Sequence, residues 1–372
     1  MELLNSDLFT PWQDPDSGVT SYILSKKIAP VQEAFYFVNN SMTDDSRYLW
    51  FYCAYPPSGS AQQGRTLGLL DFQTGEINVF PETQFNHASP YVDVKTGDIF
   101  WGMDTSVWQR GPRPQDKAEL VGSVPPELVG ARFADRIATH LTPSADGKEF
   151  FVDTSVGLQS IFGSINVETG AFEHWHTFNR NFNHVQFSPT DPDLILFAQE
   201  FHPDPITGLI FPITDRMWLM RRGEQPRPLF DEPTVVTHEW WDEDGEHVWC
   251  IHKTGTWRVN IHTQEVENLG WPAGAWHSHH HASGKYLVGD VQLSESFYRG
   301  APSEVHFLNR ETGQSVRIVK NPGMSGIVGA NYHIDPHPRF VGDGQFVVFT
   351  TTARGEVDLA IIPTADLIAQ TS

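Results

Sequence analysis

A histidine returns in this chain at one fixed distance from a glycine, and that repeat constrains the fold more than any other feature. His140, His238, His277 and His337 each stand seven residues before Gly147, Gly245, Gly284 and Gly344. Each glycine opens an apolar, aromatic run, as in HLTPSADGKEFFV, HEWWDEDGEHVWC, HSHHHASGKYLVG and HPRFVGDGQFVVF. Looser copies start at His184, with Asp191 in the glycine position and one extra turn residue, and at His87, in HASPYVDVKTGDIFWG. Near the amino end, Asn39 of NNSMTDDSRYLWF takes the equivalent place. The units number seven, and a fixed period marks a repeat architecture.

Each unit reads as strands. The Asp-Gly, Asp-Ser or Thr-Gly step is a turn signal between two β-rich runs. A second hairpin follows in most units, as in GLLDFQTGEINVF, INVETGAFEHW and VHFLNRETGQSVRIV. One unit is then four short antiparallel strands, spaced roughly 40 to 60 residues from the next, the size of a propeller blade. No stretch carries a helical period long enough to compete. The sequence therefore predicts an all-β chain, a seven-bladed β-propeller of four-stranded antiparallel blades, with residues 1–372 forming one domain.

In a propeller the innermost strand of each blade lines the central channel, and its side chains alternate between faces. A residue repeated at one position in successive blades forms a ring around one channel mouth. Such histidines can be plain repeat residues, hydrogen-bonded within their blades. Imidazole is a costly choice for packing alone, because its ring nitrogens need partners. A ring of them suits a metal site or a proton-transfer site.

Two clusters depart from the plain repeat. In His277-Ser278-His279-His280-His281, strand alternation puts His277, His279 and His281 on one face and His280 on the other. In Asn331-Tyr332-His333-Ile334-Asp335-Pro336-His337, it groups His333, Asp335 and His337. The blades holding these clusters are neighbours, and imidazoles with a carboxylate suit Mn²⁺, Zn²⁺ or Fe²⁺. The plainer reading of HSHHH is a polar loop before a strand.

Composition limits the partners. A formal charge of −21 argues against nucleic acid, whose phosphates demand a basic face. Any anionic substrate must be held by local Arg, Lys or metal charge inside the cleft. No apolar run approaches a membrane span, and MELLNSDLFTPW lacks the basic and apolar regions of a signal peptide. A cytoplasmic protein is expected, with Cys53 and Cys250 as reduced core residues.

The segments NHVQFSPTDPDL, DRMWLM, VTHEWW, WHSHHHASGKYLVGD and HIDPHPRFVGDG resemble the oligogalacturonate lyases, seven-bladed propeller enzymes of pectin catabolism. DPDSGVTSYILS and FYFVNNSMTDDSRYLWF resemble that family's first blade, so the likeness runs the length of the chain. The resemblance implies a cytoplasmic lyase that cleaves short uronate-containing oligosaccharides, oligogalacturonides first, by β-elimination. It implies bound Mn²⁺; Zn²⁺ or Ca²⁺ stand as alternatives for the metal. The family's general base falls on His238 of THEWW, and its active-site arginine on Arg216 of DRMW. Its metal ligands fall on His277 or a close neighbour and on the last-blade group His333, Asp335 and His337. There Asp335 stands where the family has histidine and Tyr332 where it has glutamine, unless His333 and Asn331 take those roles. The expected substrate contacts are His184, His140, Arg136 and His87.

The chemistry suits these residue types. The C5 proton of a uronate is weakly acidic while its C6 carboxylate stays negative. A divalent cation and an arginine on that carboxylate stabilise the enolate-like charge. A neutral imidazole then takes the proton near its natural pKa, with water, His184 or His140 assisting the leaving group. Two alternatives stand beside this reading. One is a lyase on another uronate glycan, of glucuronate-rhamnose or ulvan type. The other is a non-catalytic, ligand-binding propeller. The sequence does not assign an oligomeric state.

Overall fold

The repeat becomes a ring. In a computed structural model, described for all residues except 1–3, 5, 56–63, 86–88, 131–133, 135, 205, 212, 294–300 and 324–333, seven sheets stand as blades around a central channel. Blade 1 runs outward through Val31–Glu33, Tyr48–Ala54, Arg65–Asp71 and Glu76–Phe85, each strand antiparallel to the last. Blades 2, 4, 5 and 6 repeat this order from inner strands Tyr91–Val92, Phe182–Phe187, Thr237–Trp241 and Ala275–His280. Blade 3 has three strands, and its inner segment around His140 is held by isolated bridges to Ser89 and from Pro143 to Phe150.

Blade 7 closes the ring. Outward from the channel it stacks Arg339–Val341, Phe346–Thr351 and Asp358–Pro363, then the amino-terminal strands Thr20–Leu24 and Phe9–Gln13. The two ends of the chain thus share one sheet. Among the described residues no helix is long and apolar enough to cross a membrane.

The repeated glycine has a backbone reason. Gly147, Gly245, Gly284 and Gly344 all adopt left-handed turns, with φ of 71°, 67°, 67° and 76°, where a Cβ is resisted. In blade 1, Ser46 takes the same place at φ 60°.

Strand alternation then builds the core between blades. Leu49, Phe51 and Cys53 face blade 7 and pack with Val348, Leu359 and Ile361. Trp50 and Tyr52, the alternate residues, face blade 2 and pack with Ile99 and Trp101. Both faces of a blade are covered, so its strands read as continuous apolar runs. Phe151 and Phe162 meet Ile195 and Phe197 across the blade 3–blade 4 seam in the same way. Each such side chain contributes roughly 1.5–3 kcal/mol on burial. Cys53 and Cys250 are buried free thiols within these seams, as expected.

After its first strand, blade 1 sends Tyr36, Phe37 and Val38 into the channel. Phe37 is fully buried, its ring 5.1 Å from His277 and 5.5 Å from Trp240. Tyr36 lines an upper cavity of about 400 Å³ and Val38 a lower one of about 460 Å³. The plug thereby divides the channel.

Candidate active site

The repeat histidines gather at the upper cavity through local distortions of the inner strands. In blade 4 the pairing slips between Asn183 and Gln186, and in blade 5 between Thr237 and Trp240. Each slip is a bulge, which bends a strand and re-aims its side chains. At these bulges His184 and His238 adopt φ of 55° and 50°, and His337 adopts 45° in blade 7. Left-handed backbone is uncommon for histidine and clusters at functional sites. His140, His184, His238, His277 and His337 all line the upper cavity.

Tyr36 stands among them. Its ring stacks on His140 at 4.8 Å and meets His277 and His337 edge-on at 5.7 and 4.8 Å. Burial, reinforced by Glu239, raises its phenol well above the ordinary value, so it remains protonated.

His238 packs against His277 with ring centroids 4.3 Å apart and against Trp276 at 4.4 Å. Burial, then the neighbouring His277 and Arg216, push its imidazole well below the ordinary histidine range. A neutral ring with an available lone pair results. Burial does the same to His140.

Arg216, 5% exposed, lies between two carboxylates. Its Nη1 reaches Glu200 at 2.6 Å and its Nε reaches Glu239 at 3.3 Å. Burial opposes the charge of Arg216, but Glu239 and Glu200 outweigh it and raise the pKa. Glu239 also faces His184 Nδ1 at 3.3 Å. Burial alone would raise the Glu239 carboxyl, yet Arg216 and the neighbouring His184 hold it at about 2.

On the other side of His238, ligand atoms of His277, Asp335 and His337 lie within 4.8 Å of one another. Asp290 holds His277 Nδ1 at 2.9 Å, which leaves Nε2 as the ring nitrogen for a metal. Two imidazoles and a carboxylate at this spacing suit a divalent transition ion.

Seven of the ten residues expected at the site therefore line one cavity: His238, Arg216, His184, His140, His277, Asp335 and His337. His87 and His333 lie outside the described residues. Arg136 does not line the cavity; its Nε lies 4.0 Å from buried Asp153. Asn39, the blade 1 counterpart of the histidines, donates to the Leu141 carbonyl at 2.9 Å. The HSHHH run does not converge on one place. His277 reaches the upper cavity, His279 and His280 line the lower one, and His281 packs on Phe340.

Sequence reasoning passed over Tyr36, Glu200, Glu239 and Asp290. Strict alternation puts Glu239 opposite His238, whereas the bulge lets both serve the site. Its position directly after the repeat histidine was the available signal.

No protein-family model and no curated protein sequence matches this chain. Among solved structures, it is similar to an oligogalacturonate lyase in complex with manganese, with a TM-score of 0.71 and 18% identity over 96% of this chain and 97% of that one. It is also similar to an oligogalacturonate lyase from Vibrio parahaemolyticus, with a TM-score of 0.69 and 18% identity over 95% and 96% of the two chains. At this identity the likeness is one of fold.

Proposed function

We propose that this chain is a metal-dependent lyase that cleaves short uronate-containing oligosaccharides by β-elimination, with oligogalacturonides as the first substrate class. One observation carries the reading. A neutral, half-buried imidazole (His238), a charged buried arginine (Arg216) and a three-ligand group (His277, Asp335, His337) meet at one channel mouth. The fold shared with two oligogalacturonate lyases, one of them a manganese complex, supports it.

The donor set fits Mn²⁺. Asp290 fixes the tautomer of His277, and Asp335 supplies the hard oxygen that Mn²⁺ favours over a purely imidazole site. When bound, the ion supplies Lewis-acid neutralisation of the substrate C6 carboxylate.

The chain's own residues account for the remaining work. Arg216 faces the same carboxylate and is held in place by Glu200 and Glu239. His238 accepts the C5 proton, and its burial keeps it unprotonated beforehand. The electron pair left at C5 forms the C4–C5 double bond as the C4–O4 bond breaks, and O4 leaves with a proton supplied by water or by His184. Such a positioned base contributes about 10²–10⁴-fold.

Ultraviolet absorbance of the unsaturated uronate product tests the proposal. Oligogalacturonides with Mn²⁺ should give a signal that a chelator abolishes. A panel of other uronate glycans belongs in the same assay, because Asp335 replaces a histidine expected from the sequence resemblance. Silence from folded, metal-loaded protein on every uronate would favour a binding propeller.

A further inference from the structure

A second ring lies beneath the first. Thr142, Gln186, Trp240, His279 and Arg339 stand two residues beyond the five channel histidines, and all five line the lower cavity of about 460 Å³. They follow the channel histidines along the inner strands of blades 4 to 7 and the inner segment of blade 3. Phe37, fully buried, separates this cavity from the candidate active site.

Arg339 is its unusual member. Nη1 donates to the carbonyls of Phe37 and Val38, the latter at 2.8 Å. Its Nε is buried without a hydrogen-bond partner, and among the described residues no carboxylate lies within ion-pair distance. A guanidinium offers five donors, and among the described residues the half-buried Arg339 has only the more distant Glu243 carboxylate as a counter-charge. The chain carries 46 acidic residues, yet among the described ones only Glu243 acts on this cation, and its carboxylate is already held by His280 at 2.8 Å. His279, only 6% exposed, also leaves Nδ1 without a partner. Thr142 Oγ1 accepts from the Phe187 N–H at 3.0 Å and so keeps its own O–H to donate.

The acidic groups at the rim are already engaged. Asp242 accepts from Trp249 Nε1 at 2.9 Å and Arg258 Nε at 2.8 Å. Asp242, Glu243 and His280 could geometrically hold a cation, but their hydrogen bonds oppose it. Trp240 Nε1 donates to His280 Nδ1 at 2.9 Å, which places the imidazole proton on Nε2, facing Glu243 at 2.8 Å. A metal would need the lone pair of that same Nε2. What the cavity leaves unmet are hydrogen-bond donors and a positive charge, which call for an anion.

We propose that the lower cavity binds a small oxyanion, a phosphate or a carboxylate, through Arg339 with His279 and Thr142 beside it. An arginine fork matches either oxyanion. The inference is independent of what the upper cavity does.

Calorimetric titration of the full chain with inorganic phosphate and, separately, with glucuronate tests it. Saturable binding of either anion, weakened at least roughly tenfold in Arg339→Gln and also weakened in Thr142→Val, is the expected result. The anion that binds identifies the source. Should Arg339→Gln fail to fold, Thr142→Val alone carries the comparison. Three results would overturn the proposal: no saturable binding of either anion, binding unchanged in the folded variants, or a divalent cation at this mouth that is lost in Glu243→Gln.

Discussion

Asp290 accepts the Nδ1 proton of His277 at 2.9 Å, and the same carboxylate takes the backbone N–H of His337 at 3.3 Å. One side chain from blade 6 therefore orients two of the three candidate metal ligands, in adjacent blades. Carboxylates behind ligating histidines commonly set metal affinity by 10–100-fold. Asp290→Asn should weaken Mn²⁺ binding by about that factor in a calorimetric titration, with the β-sheet circular dichroism unchanged. Unaltered affinity would show that Asp290 serves packing alone.

Glu239 links the site to acid stability. Its folded carboxyl sits at about 2, against an ordinary value of 4.5. The folded value is the lower one, so the stabilisation is present above about pH 4.5 and is lost as pH falls toward 2. It amounts to about 3 kcal/mol. Denaturant unfolding near pH 7 and near pH 2 should show Glu239→Gln destabilised at the higher pH and close to wild type at the lower. An equal deficit at both would refute the ion-pair account.

Arg216 holds Glu200 and Glu239 with two separate nitrogens, at 2.6 and 3.3 Å. Lysine offers one point charge in place of that fork. Arg216→Lys should lower kcat/KM by about 10²-fold, the scale of one transition-state donor, while Mn²⁺ affinity stays within about twofold. Retention of full activity would remove Arg216 from the transition state.

Gly163 tests the seams between strands, far from the chemistry. A Cβ there would lie 2.3 Å from the Phe172 ring and 2.5 Å from the Glu173 carbonyl. Gly163→Ala should cost about 1–3 kcal/mol in denaturant unfolding and leave turnover per folded molecule unchanged.

The propeller was legible because each unit carries its own turn. A glycine forced into left-handed backbone at Gly147, Gly245, Gly284 and Gly344 marks the hairpin, and the run after it is apolar on both faces. The ring of histidines was legible for the same reason, since equal positions in a repeat meet at one mouth. Two features broke the alternation on which finer reading depends. Bulges in blades 4 and 5 bring neighbours such as His238 and Glu239 to the same site. The plug of Tyr36 and Phe37 assigns successive channel-facing residues to separate cavities, so His277 and His279 part company. Arg136, expected among the substrate contacts, lies 4.0 Å from Asp153 and does not line the cavity.

The most direct test of the account concerns His238. Asparagine tolerates the left-handed backbone that His238 occupies at φ 50°, so His238→Asn removes the base with little strain. Progress curves of unsaturated product from Mn²⁺-loaded wild type and His238→Asn on oligogalacturonides give the answer. A rate lowered about 10²–10⁴-fold at unchanged Mn²⁺ affinity is the result the account predicts. Turnover at the wild-type rate in the variant would contradict it.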